Sequence, residues 1–375
     1  MTRSTRRRLL AATGLGMAGL ASCTGFGGPS GAVGGSDGDG SGGNGSGGTD
    51  GGGSWPPTAD ARLPLPMSPA DLREAAQSGG PPKDGIPSID DPSFTSADAV
   101  DFLSPGDPVF GVVRDGEVKA YPQTILVQHE IVNDVLAGDP VSVTYCPLTG
   151  TVQGFDRGDT TFGVSGRLIN NNLVMYDRAT EAWWPQILAT SIPGPWNGDP
   201  EIASLREFRL VWATWERWRR HRPDTRVMST DTGFAKNYGR DPYGQYNPRS
   251  GYYEDGSLLF PALSGDDTYD RKRVVMGART PDGAAAFRKD ALRENAVMEG
   301  RIGDAPVVAV HDERLDTAYA YLNPAEATVE PADGPTVLVD GTDHPPDALP
   351  LDRVHTFDAM WFAWAGYYPD TSVYE

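Results

Sequence analysis

Cysteine, histidine and lysine are scarce in this sequence. Its 375 residues include 2 cysteines, 5 histidines and 5 lysines. Two cysteines cannot form a disulfide framework or a four-thiolate zinc site. The chain also has no phosphate-cradling P-loop and no His-Glu-x-x-His motif, so nucleotide hydrolysis and zinc-dependent proteolysis are disfavoured.

Positive charge is in short supply as well. The chain carries 51 Asp and Glu against 32 Lys and Arg, a formal net charge of -19. Because a phosphate backbone is held by clustered Lys and Arg, we expect no nucleic-acid partner. Many short carboxylates and few lysines are typical of proteins that stay hydrated in concentrated salt. This favours a halophilic protein, with an ordinary acidic protein as the alternative.

The first 23 residues predict an export signal, which we do not expect to belong to the folded body. Thr5-Arg6-Arg7-Arg8-Leu9-Leu10 is a twin-arginine pattern, and the apolar stretch that follows ends at Ala21. That stretch is shorter than the roughly 20 apolar residues needed to span a bilayer. Leu20-Ala21-Ser22-Cys23 resembles a lipobox, so we expect acylation of Cys23 to anchor the protein to the outer face of the cytoplasmic membrane. A cleaved signal with a chance cysteine is the alternative.

Residues 24–54 contain almost no apolar side chains that could be buried in a core. Glycine takes 16 of these 31 positions, which predicts a disordered tether that reaches roughly 30 Å. Without the four arginines of the signal, the chain carries 28 Lys and Arg against 51 acids, a net charge of -23. An anionic membrane surface repels such a body, so membrane attachment requires the covalent lipid.

The remaining residues predict a strand-rich α+β fold. Residues 55–106 are rich in Pro, Ser and Asp and predict an extended approach with one short helix near Ser68–Ala76. Asp115-Gly116 predicts a hairpin between 109–114 and 117–121. Further along, the patterns predict a helix over 122–128, strands over 131–136 and 141–145, a hairpin of 151–157 with 160–165, and a helix over 205–220.

A pattern repeats within this part of the chain. Trp215-x-x-Trp218-x-x-x-x-Pro223-Asp224-Thr225 recurs as Trp361-x-x-Trp364-x-x-x-x-Pro369-Asp370-Thr371, and residues upstream echo one another at an offset of 166. We predict two degenerate copies of one sheet-plus-helix unit, over 107–228 and 271–375, joined by a connecting loop region over 229–270. The tryptophans then belong to the core. Only the first copy carries the candidate chemistry, because Asp312 and Asn295 stand opposite Cys146 and His129.

Cys146 and His129 are the candidate reactive residues. Cys146 follows the apolar strand over 141–145, and His129 ends the helix before the neighbouring strand. If the two strands pair, both residues lie at the open end of one hairpin, where side chains project into a crevice. A nearby imidazole favours the thiolate and serves as its base or as a second ligand of a soft metal. The alternatives are a buried cysteine that acts as a small hydrophobe and a histidine that caps carbonyls.

A second group of side chains predicts a pocket for a small anion. Arginine presents a planar fork suited to a carboxylate or phosphate, and aromatic rings provide flat walls. A buried Asp–Arg pair that ties two loops together is the alternative. The candidate binding residues are Asp177, Arg178, Trp184, Gln186, Tyr243 and Tyr246.

Several motifs together resemble a known family. They are Ala120-Tyr121-Pro122, His129-Glu130-Ile131-Val132-Asn133-Asp134, Tyr145-Cys146-Pro147-Leu148-Thr149-Gly150, Phe162-Gly163-Val164-Ser165-Gly166, Asn172-Leu173-Val174-Met175-Tyr176-Asp177-Arg178 and Trp184-x-Gln186. From about Ile86 onward the chain resembles the uncharacterised family catalogued as domain of unknown function 3179, and the resemblance implies no established activity. Many relatives have a second cysteine where this chain has Thr149. Dithiol exchange needs both sulfurs, so its absence disfavours a redox role.

The sequence leaves two hypotheses open. In the first, Cys146 acts with His129 as a thiolate nucleophile, or the two hold a soft transition metal such as copper or zinc beside a small-anion pocket. In the second, the protein is a non-catalytic ligand-binding or surface-interaction lipoprotein whose cysteine is structural.

Overall fold

Short strands joined by tight turns make up most of the fold, because apolar and polar residues alternate along segments of about six residues. The computed structural model describes residues 54–375. Within them, five sheets accompany five α-helices. The prediction of a strand-rich α+β fold is therefore confirmed for this part of the chain.

All helices in the described part are short. The α-helices are α1 Pro69–Glu74, α2 Gln123–His129, α3 Trp215–His221, α4 Lys289–Asn295 and α5 Trp361–Tyr367, and single 3-10 turns lie at Ala97–Ala99 and Gly251–Tyr253. Strands β1 to β12 are Gln77–Ser78, Phe94–Ser96, Pro108–Arg114, Glu117–Pro122, Ile131–Leu136, Asp139–Cys146, Thr151–Asp156, Phe162–Ile169, Asn172–Asp177, Trp183–Pro185, Glu207–Phe208 and Val211–Thr214. Strands β13 to β23 are Arg226–Met228, Val274–Thr280, Gly283–Arg288, Val297–Ile302, Ala305–Asp312, Thr317–Leu322, Val329–Pro331, Val337–Val339, Thr342–His344, Arg353–Met360 and Ser372–Tyr374.

Three sheets carry the first half of the fold, which we define as residues 107–228. Their strand orders are β12-β3-β4-β13-β2, β11-β7-β6-β5 and β1-β8-β9-β10. The hairpin at Asp115-Gly116 forms as predicted, with Arg114 opposite Glu117. Strands β1 and β2 come from the segment predicted to be an extended approach, and each adds an edge strand to a sheet. That segment therefore belongs to the folded body.

The second half, residues 271–375, contains a seven-stranded sheet and a small three-stranded one. Their orders are β16-β17-β18-β22-β14-β15-β23 and β19-β20-β21. The sequence of elements from β14 to β18, with α4 after the second strand, matches that from β3 to β7 with α2. In both halves, the strand after the tryptophan-bearing helix pairs in parallel with the second strand of the hairpin, β13 with β4 and β23 with β15.

A tryptophan packs directly over a strand glycine in each half. Trp218 of α3 lies on Gly111 of β3, and Trp364 of α5 lies on Gly277 of β14. Both indoles are buried. Both donate from Nε1 to a threonine hydroxyl seven residues later, at 3.0 Å in the first half and 2.9 Å in the second. An indole can approach a sheet this closely only where the strand has no Cβ.

A buried arginine joins the two halves. Arg279 of β14 is 2% exposed, and its guanidinium donates to the Glu207 carboxylate and to the Tyr368 hydroxyl. Next to it, His355 Nε2 lies 2.9 Å from Gln153 Oε1. Burial lowers the pKa of His355 to about 4, so this imidazole is neutral at physiological pH. The junction is thus polar and nearly closed to solvent.

Two predictions about secondary structure are wrong. The segments 151–157 and 160–165 do not form a hairpin, because β7 pairs with β6 and β11 whereas β8 pairs with β9 and β1. The helix predicted over 205–220 begins only at Trp215, because Val211–Thr214 pairs with β3. Trp212 therefore lies on a strand and not on the helix that carries Trp215 and Trp218.

Several predictions fall on residues 1–53, which lie outside the described residues. They are the twin-arginine signal over 1–23, acylation of Cys23 and nearly all of the tether over 24–54. Across residues 54–375, no helix combines the length and the apolar character that crossing a bilayer requires.

The glycine under each indole gives a stability prediction. A Cβ built on Gly277 overlaps the ring of Trp364, so Gly277→Ala should lower the free energy of unfolding by about 1–3 kcal/mol or more through overpacking. Gly198→Ala is the matched control, because a Cβ there meets no atom. Urea unfolding of both variants measures the difference, and equal stability of the two would contradict the proposed constraint.

Candidate functional site

Cys146 is the last residue of β6 and lies in the core. Its side chain is 1% exposed and belongs to a cluster with Ile131 and Leu148. The thiol donates to the carbonyl oxygen of Asn171 at 3.5 Å. Burial raises the pKa of the Cys146 thiol to about 11, and the charge of the nearby Glu130 carboxylate acts in the same direction. The thiol is therefore protonated at neutral pH.

His129, the last residue of α2, has both ring nitrogens engaged. Nδ1 lies 2.8 Å from the carbonyl oxygen of Pro87, and Nε2 lies 2.7 Å from the hydroxyl of Tyr238. A carbonyl oxygen only accepts, so Nδ1 carries the proton and Nε2 accepts from the hydroxyl. Burial lowers the pKa of His129. The imidazole is thus a neutral ring that ties α2 to two loops.

The structure does not join Cys146 and His129 by a hydrogen bond, contrary to the expectation of an imidazole-supported thiolate. Each group is occupied by other partners. Within residues 54–375, no three His, Cys, Asp or Glu side chains form a group that could hold a metal ion. The roles of the pair as nucleophile and base, or as soft-metal ligands, stay predictions to which these contacts lend no support.

Glu130 directly follows His129 in the sequence and was not among the predicted site residues. It is 8% exposed, and its carboxyl group has no hydrogen-bond partner within the described part of the chain. Its φ of 61° is unusual for a residue other than glycine. Burial raises the pKa of Glu130 to about 8. Ala296 has the same φ at the corresponding place in the second half, so the fold does not require a carboxyl group there.

Three of the predicted binding residues form a buried network around β9. The carboxylate of Asp177 accepts from Trp184 Nε1 at 2.9 Å and from the Thr180 hydroxyl at 2.6 Å. Gln186 Nε2 donates to the Thr144 carbonyl at 3.1 Å. All three predicted residues have no exposed surface. These contacts hold strands and turns together.

Arg178 does not pair with the adjacent Asp177. Its guanidinium lies 3.1 Å from Asp84 and 3.4 Å from Asp90, so it fastens the segment before β2 to the end of β9. Asp177, Trp184 and Gln186 are thus buried and bonded within the protein, whereas Arg178 is exposed, and the predicted anion pocket around these four residues stays a prediction to which their contacts lend no support.

The two predicted tyrosines lie in the connecting segment, residues 229–270. The ring of Tyr243 packs against that of Tyr252 at 6.0 Å, and the Tyr252 hydroxyl donates to the Leu148 carbonyl at 2.8 Å. These contacts cover the turn that follows Cys146. Tyr246 packs against Trp212, with 4.6 Å between ring centroids, and faces a different part of the molecule.

That part is a cleft of about 1270 Å³ where the first half, the second half and the connecting segment meet. We call it the interhalf cleft. Trp212, Tyr246, Tyr253 and Tyr269 supply aromatic surface to its walls. Its six basic residues are Arg249, Arg271, Lys272, Arg273, Lys289 and Arg293.

Half of these basic residues pair with carboxylates on the wall. The pairs are Arg273 with Asp290 at 2.8 Å, Arg293 with Asp316 at 2.7 Å, and Lys289 with Asp358. Arg249, Arg271 and Lys272 have no carboxylate partner among the described residues. Of these three, Arg271 is exposed and Arg249 is half-buried.

Lys272 is the most buried of the unpaired cations. It is 6% exposed. Its ammonium donates to the backbone carbonyl of Tyr252 and lies 3.3 Å from the centroid of that ring. Arg249 lies beside it, with Nη1 3.1 Å from the Lys272 carbonyl and Nη2 3.3 Å from the Tyr246 hydroxyl. Burial lowers the pKa of Lys272 to about 8; the Asp255 carboxylate acts against this shift and the positive charge of Arg249 adds to it.

Tyr246 is thus the one predicted binding residue that lines the interhalf cleft. Arg249 and Lys272 also line it and were not predicted from the sequence. Two of the five lysines of the chain, Lys272 and Lys289, line this cleft. The scarcity of lysine makes each lysine conspicuous in the sequence, although the exposed Lys236 shows that scarcity alone does not mark a site. Nothing in the sequence shows that these two meet.

Comparison with known proteins identifies a family and nothing more specific. A family model described as a protein of unknown function (DUF3179) matches residues 83–371. No curated protein and no solved structure matches the chain.

The buried carboxyl group of Glu130 gives a prediction about pH. Its pKa rises from an ordinary 4.5 to about 8 in the folded protein, so between these values the unfolded chain loses a proton that the folded protein keeps. Stability therefore falls as pH rises from 4.5 to 8. Glu130→Gln should remove that loss and raise the free energy of unfolding at pH 8 by about 3–5 kcal/mol, with little effect near pH 4.5.

Urea unfolding at both pH values tests this expectation. Glu74→Gln is the control, because Glu74 is exposed at the end of α1. A stabilisation of Glu130→Gln that is the same at pH 4.5 and pH 8 would show that the carboxyl group does not titrate as the burial implies.

Proposed function

The chain belongs to the DUF3179 family of proteins of unknown function, and from that premise we propose that it is a binding protein for a small anion. The interhalf cleft is its binding site. The observation that carries the proposal is Lys272, a cation that is nine-tenths buried on the cleft wall without a carboxylate partner. Arg249 and Tyr246 complete the anion-recognising wall.

The energetic argument starts from the cost of the unpaired charge. Burial of an ammonium group without an anion is unfavourable, and one backbone carbonyl replaces only part of its hydration. A carboxylate or phosphate in the cleft supplies the missing charge. Arg249 adds a planar fork that binds either group in a bidentate geometry. The neighbouring Tyr246 hydroxyl supplies a further hydrogen-bonding group.

The distribution of charge supports the same conclusion. The chain has a net charge of -19, so most of its surface repels anions. Six of its 32 Lys and Arg residues nevertheless line one cleft, together with seven Asp and Glu residues, so the cleft is close to neutral. An anion is therefore repelled less at the cleft than over the rest of the acidic surface, and this difference weakens as salt rises.

The walls and the volume indicate the size of the ligand. The cleft volume of about 1270 Å³ is larger than the usual volume of small-molecule sites, about 300–1,000 Å³. Trp212 and Tyr246 offer adjoining ring faces. The site therefore suits an organic anion with an apolar or planar portion better than a bare inorganic ion.

We propose a structural role for Cys146 in place of the thiolate mechanism. Its thiol is buried, protonated and bonded to a carbonyl oxygen. Free cysteine in such surroundings packs as a small apolar side chain.

We further infer that the two halves are copies of one unit. The matched order of elements, the parallel pairing of β13 and β23, and the indole over a glycine in each half support this inference. Joining two such copies creates the interhalf cleft, so the binding site belongs to the pair and not to either copy.

Export and anchoring stay part of the proposal. The twin-arginine pattern and the cysteine at residue 23 support a lipoprotein on the outer face of the cytoplasmic membrane. In that place a tethered binding protein would meet small anions outside the cell.

Anion binding is measured by titration calorimetry with citrate and with inorganic phosphate at fixed salt. We expect Lys272→Met and Arg249→Met each to weaken citrate binding by about ten- to a hundredfold, because each removes a charge-assisted hydrogen bond that contributes about 1.5–3 kcal/mol. Lys236→Met is the matched control, since Lys236 is exposed and does not line the cleft. Absence of binding to the unaltered protein, or unchanged affinity of Lys272→Met, would overturn the proposal.

Thiol alkylation separates the proposal from the thiolate hypothesis. Because the Cys146 thiol is buried and its pKa is raised, iodoacetamide near pH 7 should leave Cys146 unmodified in the folded protein and modify it after unfolding in urea. Peptide mapping by mass spectrometry identifies the labelled cysteine. Rapid labelling of Cys146 in the folded protein would restore the thiolate hypothesis.

A further inference from the structure

Lys272 differs from the other lysines of the chain in its partners. Lys83, Lys119 and Lys289 pair with carboxylates, and Lys236 is exposed to solvent. An ion pair stabilises the ammonium form and leaves no lone pair for chemistry. Lys272 is buried, lines a cleft and forms no ion pair; its amine contacts a carbonyl oxygen and a ring face, and the charges of Asp255 and Arg249 act on it from further away.

We propose that Lys272 forms a reversible imine with a ligand that carries both a carbonyl group and a carboxylate, an oxo acid. The proposal rests on the proposed function, since Arg249 and the cleft must first hold the anionic end of the ligand. It goes further in assigning a covalent step to the site and a chemical class to the ligand.

The surroundings of the amine favour its neutral form. Burial acts most strongly against the charged ammonium, the Asp255 carboxylate favours it, and the Arg249 guanidinium repels it, with a net lowering of the pKa of Lys272. With a pKa lowered to about 8, about half of the Lys272 side chains are neutral at pH 8. Desolvation and a neighbouring cation are the two devices by which proteins make lysine a nucleophile toward carbonyl compounds.

Arg249 gives the reaction its selectivity. Its Nη1 donates to the Lys272 carbonyl at 3.1 Å, so the guanidinium is fixed to the same stretch of backbone that carries the amine. A carboxylate held by that guanidinium brings an adjacent carbonyl carbon to the neighbourhood of the amine. Such positioning raises the effective concentration of the reacting group.

The step needs no oxidant, reductant or metal. The lone pair of the neutral Lys272 amine adds to the carbonyl carbon, and the carbon–oxygen double bond becomes a hydroxyl group. Loss of that hydroxyl with a proton from nitrogen releases one water and leaves a carbon–nitrogen double bond. Addition of water reverses the reaction.

Reductive trapping tests the proposal on the full chain. The protein is incubated with glyoxylate and sodium cyanoborohydride at pH 8, and peptide mapping by mass spectrometry locates the carboxymethyl groups that form. We expect Lys272 to be labelled at least about tenfold faster than the exposed Lys236, because an ordinary exposed lysine is almost fully protonated at that pH. Equal rates at the two residues, or slower labelling of Lys272, would overturn the proposal.

One variant and a second probe sharpen the result. Propionaldehyde lacks the carboxylate, so its preference for Lys272 should be smaller than that of glyoxylate. Arg249→Met should slow trapping of glyoxylate at Lys272 by about tenfold, the loss of one charge-assisted contact. An equal preference for both probes, or no effect of Arg249→Met, would overturn the assignment of an oxo acid.

Citrate binding separates this proposal from the proposed function, because citrate has carboxylates but no aldehyde or ketone group and therefore binds without forming an imine. Citrate binding by the unaltered protein without preferential trapping at Lys272 would overturn the imine and leave the anion site standing. Absence of both would overturn the two proposals together.

Discussion

The contact of an indole with a strand glycine is the constraint on which each half of the fold depends. Trp218 over Gly111 and Trp364 over Gly277 bring a short helix flat against the sheet. The threonine that accepts from each indole fixes the strand that follows, so that it adds in parallel to the hairpin. A helix of two turns has little stability of its own, so tertiary packing of this kind must hold it.

The junction between the halves divides into a sealed part and an open part. In the sealed part, Arg279 forms an ion pair with the Glu207 carboxylate and is almost fully excluded from solvent. In the open part, Lys272 has no such partner and lines the interhalf cleft. We propose that this cation, which the fold leaves without an ion pair at an open site, binds an external anion. The same junction therefore holds the molecule together and forms the surface of the proposed binding site.

Much of the local structure followed from the sequence. Asp115-Gly116 set the first hairpin, and Ser68 caps α1 as its position before Pro69 indicates. The predicted helix over 205–220 was wrong because its first residues extend a sheet through β3, a partner about a hundred residues earlier. The sequence pattern alone does not reveal such pairing, because the same spacing of apolar residues is compatible with a helix and with an edge strand. Pairing with a neighbouring strand determines which of the two forms.

The candidate site was predicted only in part, for a related reason. The sequence by itself determined the acidic character of the chain and the lack of a disulfide framework, and it supplied the prediction of export, because these depend on residue counts and on short contiguous motifs. Tertiary structure alone decided that Cys146 is sealed in the core, that His129 serves two loops and that Arg249, Lys272 and Tyr246 share one wall. The ionisation and reactivity of a side chain depend on its burial and on charges brought near it by distant parts of the chain, and those are properties of the fold.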